Sequence, residues 1–352
     1  MHRHHLSIER PRLSLSERVR RGLGAAVTDG FFKGAAKGAK WLPIARPSVH
    51  GVAVEKDLPY RRTGRVEHTV DVYRPVDARG PLPIVFYIHG GGFRMLSKDT
   101  HWVFGLAYAR RGYLVVNINY HLAPEHPFPA AVTDVSAAWQ WLVAHADRLG
   151  GDLGRVVVAG ESAGANLAAV LALMTSYQRP EAYARDAFSA GVVPRAVVAA
   201  CGIYDVSRPE RFAGQGAFLR DRLEEVTDAY LHGVKLRDRR TLELADPVVA
   251  LEREDAPARP LPPFFLPCGT WDVLLGDSRR LHAALLKHGS TASEVREYRR
   301  GPHAFHAFVV TPQARACWKD TFAFLERHLG PAREPAATAR RPSTGRAAPA
   351  EP

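Results

Sequence analysis

Arg155-Val156-Val157-Val158-Ala159-Gly160-Glu161-Ser162-Ala163-Gly164-Ala165-Asn166-Leu167-Ala168-Ala169 is the stretch that decides how this chain folds. Its first five residues form a short β-branched run. From Ala163 to Met174 the chain is rich in Ala and Leu, with no Pro and one Gly. That pattern predicts a strand, a sharp turn and a helix, with Ser162 on the turn. Gly160 and Gly164 let the backbone bend tightly and let helix and strand approach closely. A serine so placed is a candidate nucleophile.

A second string completes the chemistry. His89-Gly90-Gly91-Gly92-Phe93 follows the apolar run Ile84–Ile88. Its consecutive small residues can turn backbone N–H groups toward an oxyanion. A nucleophile and an anion-stabilising loop together imply acyl transfer. A glycine-rich strand-to-helix turn without chemistry accounts for either string alone, but poorly for both.

Outward from these strings, strand-like and helical runs alternate. Strands are expected at Val52–Asp57, Val66–Tyr73, Ile84–Ile88, Leu114–Asn119, Val156–Ala159, Ala196–Ala200, Phe264–Cys268 and Glu294–Tyr298. Helices are expected at Thr100–Arg111, Ala130–Arg148, Ala163–Ser176, Ser278–His288 and Pro312–His328. From Ile84 onward the strands are near-continuously apolar, as when helices cover both faces of a sheet. Val66–Tyr73 alternates instead, which suits an early edge hairpin with Val52–Asp57. The fold class is α/β. From Ser207 to Pro263 a long insertion holds a polar helical segment, Asp221–Leu231, and a segment of this length is usually a lid. Three regions follow: a basic N-terminal segment 1–46, a catalytic domain 47–330 with a cap insertion at 207–263, and a disordered tail 331–352.

Composition fits an ordinary globular chain of 352 residues, 46% hydrophobic and 24% charged. No apolar run approaches the roughly 18 residues of a membrane span. The first residues lack an apolar h-region, so a secretory signal is not expected. Cys201, Cys268 and Cys317 have no metal-like spacing, which predicts free buried thiols in a reducing, cytoplasmic compartment. The net charge of +12 suggests nucleic acid until its distribution is read. Residues 1–46 hold ten Lys/Arg against three acids, so the basicity belongs mainly to that end and no nucleic-acid partner is expected. Leu13–Leu23 and Val27–Leu42 are weakly amphipathic. They suit a helix pair covering the mouth of the domain or, as the second reading, peripheral contact with an anionic membrane surface.

The rest of a serine site should follow as acid, then histidine. Asp272 sits on the loop leaving Phe264–Cys268, at the sheet end where functional residues gather. Its rival Asp277 suits an N-cap for the next helix. His303 follows Gly301-Pro302 in a loop, whereas His306 lies nearer an apolar segment and suits a packed histidine. Asp272 and His303 are therefore the expected orienter and base.

With these parts named, the chain resembles the hormone-sensitive-lipase family of α/β-hydrolases, of bacterial carboxylesterase type. The matching residues are His89–Phe93, the string Asn119-Tyr120-His121-Leu122-Ala123-Pro124-Glu125-His126-Pro127-Phe128-Pro129, the serine elbow, Asp272, and His303-Ala304-Phe305, spread over roughly residues 66–328. The resemblance implies an α/β-hydrolase fold with an eight-stranded, mostly parallel sheet and a helical cap. It also implies an oxyanion hole from Gly91, Gly92 and Ala163, a loop-stabilising role for His89, and loop support from Glu125 and its prolines. The spacing from Tyr298 to His303 is the family's usual one. Two departures stand out: Glu161 where Asp or Thr is commoner, and His121 where arginine is common.

The expected function is a serine carboxylesterase or lipase-like hydrolase of small to medium acyl esters. It would work through an acyl-enzyme, and neither metal nor organic cofactor is needed. An amidase or arylformamidase using the same site is the rival within enzymes. A non-catalytic ligand-binding protein on this fold is the rival outside them.

Overall fold

The computed structural model describes residues 43–232, 242–253 and 256–332, together with Arg20, Gly22, Gly24, Gly30, Gly34 and Gly38. The expected tail therefore lies outside the described residues apart from Pro331 and Ala332. So does most of the expected N-terminal helix pair, Leu13–Leu23 and Val27–Leu42.

Among the described residues eight strands are present: β1 (Val52–Pro59), β2 (Thr69–Pro75), β3 (Leu82–Ile88), β4 (Leu114–Ile118), β5 (Gly151–Glu161), β6 (Ala196–Ala200), β7 (Phe264–Gly269) and β8 (Glu294–Tyr298). They form one sheet in the order β1-β2-β4-β3-β5-β6-β7-β8. β2 runs antiparallel to β1 and β4, and every other pairing is parallel. Every residue of β3, β4, β6 and β7 is buried, which is why these strands lack alternation.

The expected edge hairpin is present, with β1 outermost and β2 beside it, although the strand begins later than expected because Val66–His68 is a 3-10 turn. The alternation within β2 does not mark a solvated face. Its polar residue Asp71 is fully buried and pairs with the equally buried Lys98 at 2.8 Å. A buried charge tolerates this position because it is paired. The hairpin with β1 is present, in the register Val52↔Pro75.

The α-helices of the described residues are α1 (Trp102–Ala109), α2 (Ala130–Leu149), α3 (Ala163–Ser176), α4 (Ala182–Ser189), α5 (Ala217–Tyr230), α6 (Pro247–Arg253), α7 (Leu275–Lys287) and α8 (Pro312–Leu329). All 14 residues of α3 are buried, so it needs no amphipathic stripe. Gly164 is essential to its seating. A Cβ there would collide with the Ile88 and His89 carbonyls, which fixes α3 hard against the end of β3.

Two helices lie outside the expected set: α4, and α6 within the insertion beyond Asp221–Leu231. The expected N-cap role of Asp277 is not met, because α7 begins at Leu275 and its cap position is Leu274. Asp277 is instead buried, accepting from Tyr204 N at 2.8 Å and pairing with Arg211. Its carboxyl is pushed above the usual range by burial, against the pull of Arg211.

Candidate active site

Ser162 stands at the C-terminal end of β5, between its neighbours β3 and β6. Ile88 pairs with Gly160 and Glu161 with Ala200, so the three strand ends lie side by side. The serine backbone has φ 55° and ψ −119°, a conformation that costs an L-residue roughly 1–3 kcal/mol. The turn is over-determined from both sides: Ser162 N donates to Ala200 O, and Asn166 N donates to Ser162 O. This arrangement leaves Ser162 half-buried, with its hydroxyl directed out of the sheet end.

His303 and Asp272 reach the serine from the loops after β8 and β7. His303 Nδ1–H donates to Asp272 Oδ2 at 2.8 Å, and Ser162 Oγ donates to His303 Nε2 at 3.0 Å. The proton belongs on Nδ1 because an ionised carboxylate only accepts. Asp272 Oδ1 is occupied by Leu274 N at 2.9 Å, which fixes the carboxylate plane. The Asp272 side chain is 0% exposed and that of His303 42%, so the imidazole is packed below and open toward the cleft. Burial pulls the His303 pKa down, but the charge and hydrogen bond of Asp272 outweigh it and hold it above the usual imidazole value. The reverse balance holds for Asp272: burial raises its pKa, and His303 with the Leu274 N–H brings it below the ordinary range.

The rival histidine fits its packed reading. His306 is buried among Phe104, Phe305 and Trp318, and burial lowers its pKa to about 4. All three cysteines are free and buried.

Gly91 and Gly92 lie in the turn after β3, at φ 113° and 60°. Among the described residues, no acceptor pairs with the N–H of either. Ala163 opens α3, so its N–H has no partner within the helix. The preceding N–H, of Gly90, is committed: it donates to Glu161 Oε1 at 2.7 Å. Glu161 is 4% exposed and also accepts from Tyr87 OH at 2.5 Å and His101 Nε2 at 2.8 Å. Burial alone would raise its pKa, but His101 and Tyr87 outweigh that and hold it well down. Tyr87 and His101 were not singled out from sequence, since only the fold brings them beneath the elbow.

His89 is stacked on Tyr120, with ring centroids 4.3 Å apart, and Tyr120 OH donates to its carbonyl at 2.8 Å. It is buried and held neutral, burial lowering its pKa to about 3. This agrees with a loop-stabilising role and not with a base. Glu125, by contrast, is exposed. The loop after β4 is held instead by Asp134, which accepts from His121 N at 2.9 Å, and by Ala123 N, which donates to Phe93 O at 2.8 Å.

The helix α5 lies directly over the glycine turn. A Cβ at Gly92 would come 2.8 Å from Val226, and Arg94 pairs with Glu225 at 3.2 Å. Phe93 stacks on Tyr230 with centroids 3.7 Å apart. Of the insertion aromatics, Phe212 and Tyr230 are buried and Phe218 is 58% exposed. Arg20 of the N-terminal segment pairs with Asp221 of α5 at 2.5 Å.

Among the described residues, no helix is long and apolar enough to cross a membrane.

Comparison with known proteins agrees with this architecture. Residues 85–307 match a family model described as alpha/beta hydrolase fold. The chain is 33% identical over 272 residues to carboxylesterase NlhH of Mycobacterium tuberculosis, covering 76% of this chain and 80% of that one. It is 30% identical over 231 residues to an acetyl esterase of Salmonella schwarzengrund, covering 64% of this chain and 65% of that one. The crystal structure of esterase LipW from Mycobacterium marinum superposes with a TM-score of 0.68 at 26% identity, covering 91% of this chain and 96% of that one. The chain belongs to the α/β-hydrolase family, in its hormone-sensitive-lipase-type branch of bacterial esterases.

Proposed function

We propose that this enzyme, a carboxylic ester hydrolase, cleaves small to medium acyl esters through a triad of Ser162, His303 and Asp272. The observation that carries this reading is the unbroken hydrogen-bond chain from Ser162 Oγ through His303 to Asp272. It starts from a serine held at positive φ.

In the first half-reaction His303 Nε2 takes the Ser162 proton as Oγ bonds to the ester carbonyl carbon. The oxyanion that forms accepts from the N–H groups of Gly91, Gly92 and Ala163. Asp272 keeps the imidazole in its Nδ1–H tautomer and stabilises the imidazolium. The C–O bond to the alcohol breaks as His303 returns its proton to that oxygen. In the second half-reaction His303 deprotonates water, which attacks the acyl-serine. The acid leaves and Ser162 recovers its proton.

The contacts of Arg20 with Asp221, and of Val226 and Tyr230 with the glycine turn, support a cap built from the N-terminal segment and residues 207–263. The test is hydrolysis of a p-nitrophenyl ester series, acetyl through palmitoyl, by wild type, Ser162→Ala, His303→Ala and His306→Ala. The first two variants should lose roughly 10⁴-fold or more in kcat. His306→Ala should keep its chemistry. Loss in His306→Ala with activity retained in His303→Ala would overturn the choice of base. A matched amide series separates an esterase from an amidase.

A further inference from the structure

Outside the triad, one cluster joins three parts of the chain that the mechanism does not use. His68 Nε2 lies 3.2 Å from Asp134 Oδ1, and His121 Nδ1 lies 2.6 Å from Asp134 Oδ2. All three ligand-capable atoms fall within 4.8 Å of one another. The side chains of His68, His121 and Asp134 are 5%, 13% and 2% exposed. His126 packs on His121 with ring centroids 4.1 Å apart.

We propose that His68, His121 and Asp134 form a three-ligand binding site for a divalent transition-metal ion of the zinc type, the fourth position being left to water. Two imidazoles and a carboxylate are a donor set suited to zinc. Tetrahedral Zn–N and Zn–O bonds near 2.0–2.1 Å place ligand atoms about 3.3 Å apart, so the cluster would close on the ion from a spacing of at most 4.8 Å. His68 offers Nε2 to the cluster, and neutral imidazole is the ligand form. Its other nitrogen, Nδ1, is 2.5 Å from Thr63 Oγ1. When Nε2 takes the ion, the ring proton moves to Nδ1 and is donated to Thr63, an outer-shell partner of the kind that orients ligating histidines.

His121 is what makes the site possible, since its Nδ1 meets Asp134 Oδ2 and an arginine at this position could not ligate. One group opposes binding: Arg61 Nη1 lies 3.1 Å from Asp134 Oδ1. Its side chain is 37% exposed and is free to turn to solvent when a dication takes its place. A bound ion would tie the entry to β2, the loop after β4 and α2 together. That loop touches the glycine turn through Ala123 N and Phe93 O.

The test uses the full chain, dialysed against EDTA and titrated with Co²⁺, then Zn²⁺. Tetrahedral d–d absorption, stoichiometry and Tm are the readouts. The expected result is one high-affinity Co²⁺ per chain with a metal-dependent rise in Tm, and both are lost in His121→Arg and His68→Gln. Thr63→Val should weaken binding by about 10- to 100-fold, and Arg61→Ala should tighten it by about tenfold. Should His68→Gln fail to fold, His121→Arg and Arg61→Ala carry the test. Uptake unchanged in His121→Arg overturns the site, because the ion then belongs elsewhere. Cys201, Asp272 and His303 also gather ligand atoms, and His2, His4 and His5 lie near the N-terminus. Absence of Co²⁺ bands at millimolar metal overturns it equally.

Discussion

Replacing Glu161 by Gln should lower kcat while leaving KM nearly unchanged. The carboxylate receives Gly90 N–H, Tyr87 OH and His101 Nε2–H in a site shielded from water. Hydrogen bonds to a charged group contribute about 1.5–3 kcal/mol each, and neutral ones about 0.5–1.5. Glutamine can keep its carbonyl toward Gly90 and His101 while its amide donates to the tyrosine oxygen. The loss is then about 1 kcal/mol for each of three bonds, partly offset because no charge is buried any longer. A net 1–2 kcal/mol, or roughly 2–4 °C in Tm for a domain of this size, is expected. Loss of one whole oxyanion donor costs about 10²–10³ in kcat. Glutamine loosens the Gly90 anchor without removing Gly91 or Gly92, so about a tenfold fall is expected. Steady-state kinetics on p-nitrophenyl butyrate and thermal melts measure both effects. A variant with wild-type kcat and wild-type Tm would refute the anchoring role, as would a rise in KM at constant kcat.

Acid lability should change in the same variant. Because the Glu161 pKa is held down to about 2, its stabilisation is full above the ordinary glutamate value of about 4.3 and is lost as pH falls toward the folded value. Tm between those limits should therefore fall less steeply in Glu161→Gln than in wild type, and parallel slopes would contradict this. The raised pKa of His303 sets the acid limb of kcat/KM above about 6.5, since a protonated base cannot accept from Ser162. Asp272→Asn should cost about 10⁴-fold in kcat. Gly164→Ala forces a Cβ into the Ile88 carbonyl and should lower stability by about 1–3 kcal/mol in chemical denaturation. Tyr230→Ala removes the ring stacked on Phe93. It should cost about 3–5 kcal/mol by the same assay, and unchanged stability would mean the insertion carries no packing weight.

Much of this was legible in the sequence because it is local. β6 and α3 have the limits read from their residues, and Ser162, Asp272 and His303 are flagged by strand-end glycines and loops within a few positions. What escaped depends on distant partners. Glu161 carries no sign in the sequence that Tyr87 and His101 meet it. Asp277 has the look of a cap, but tertiary structure buries it against Arg211 and Tyr204. Asp71 gives β2 the alternation of a half-solvated strand although it is fully buried, because its countercharge Lys98 comes from the loop before α1. α4 is an 8-residue helix, too short to stand out from the surrounding loops.

The seating of Val226 and Tyr230 on the glycine turn has a consequence for how substrates are told apart. An acyl chain long enough to tilt α5 would also pull on Phe93, one residue beyond Gly92. Discrimination by length should therefore register in turnover and not in affinity alone. On the oxyanion role proposed for Gly91 and Gly92, a mutation that widens the cleft along α5 should alter turnover as well as substrate range.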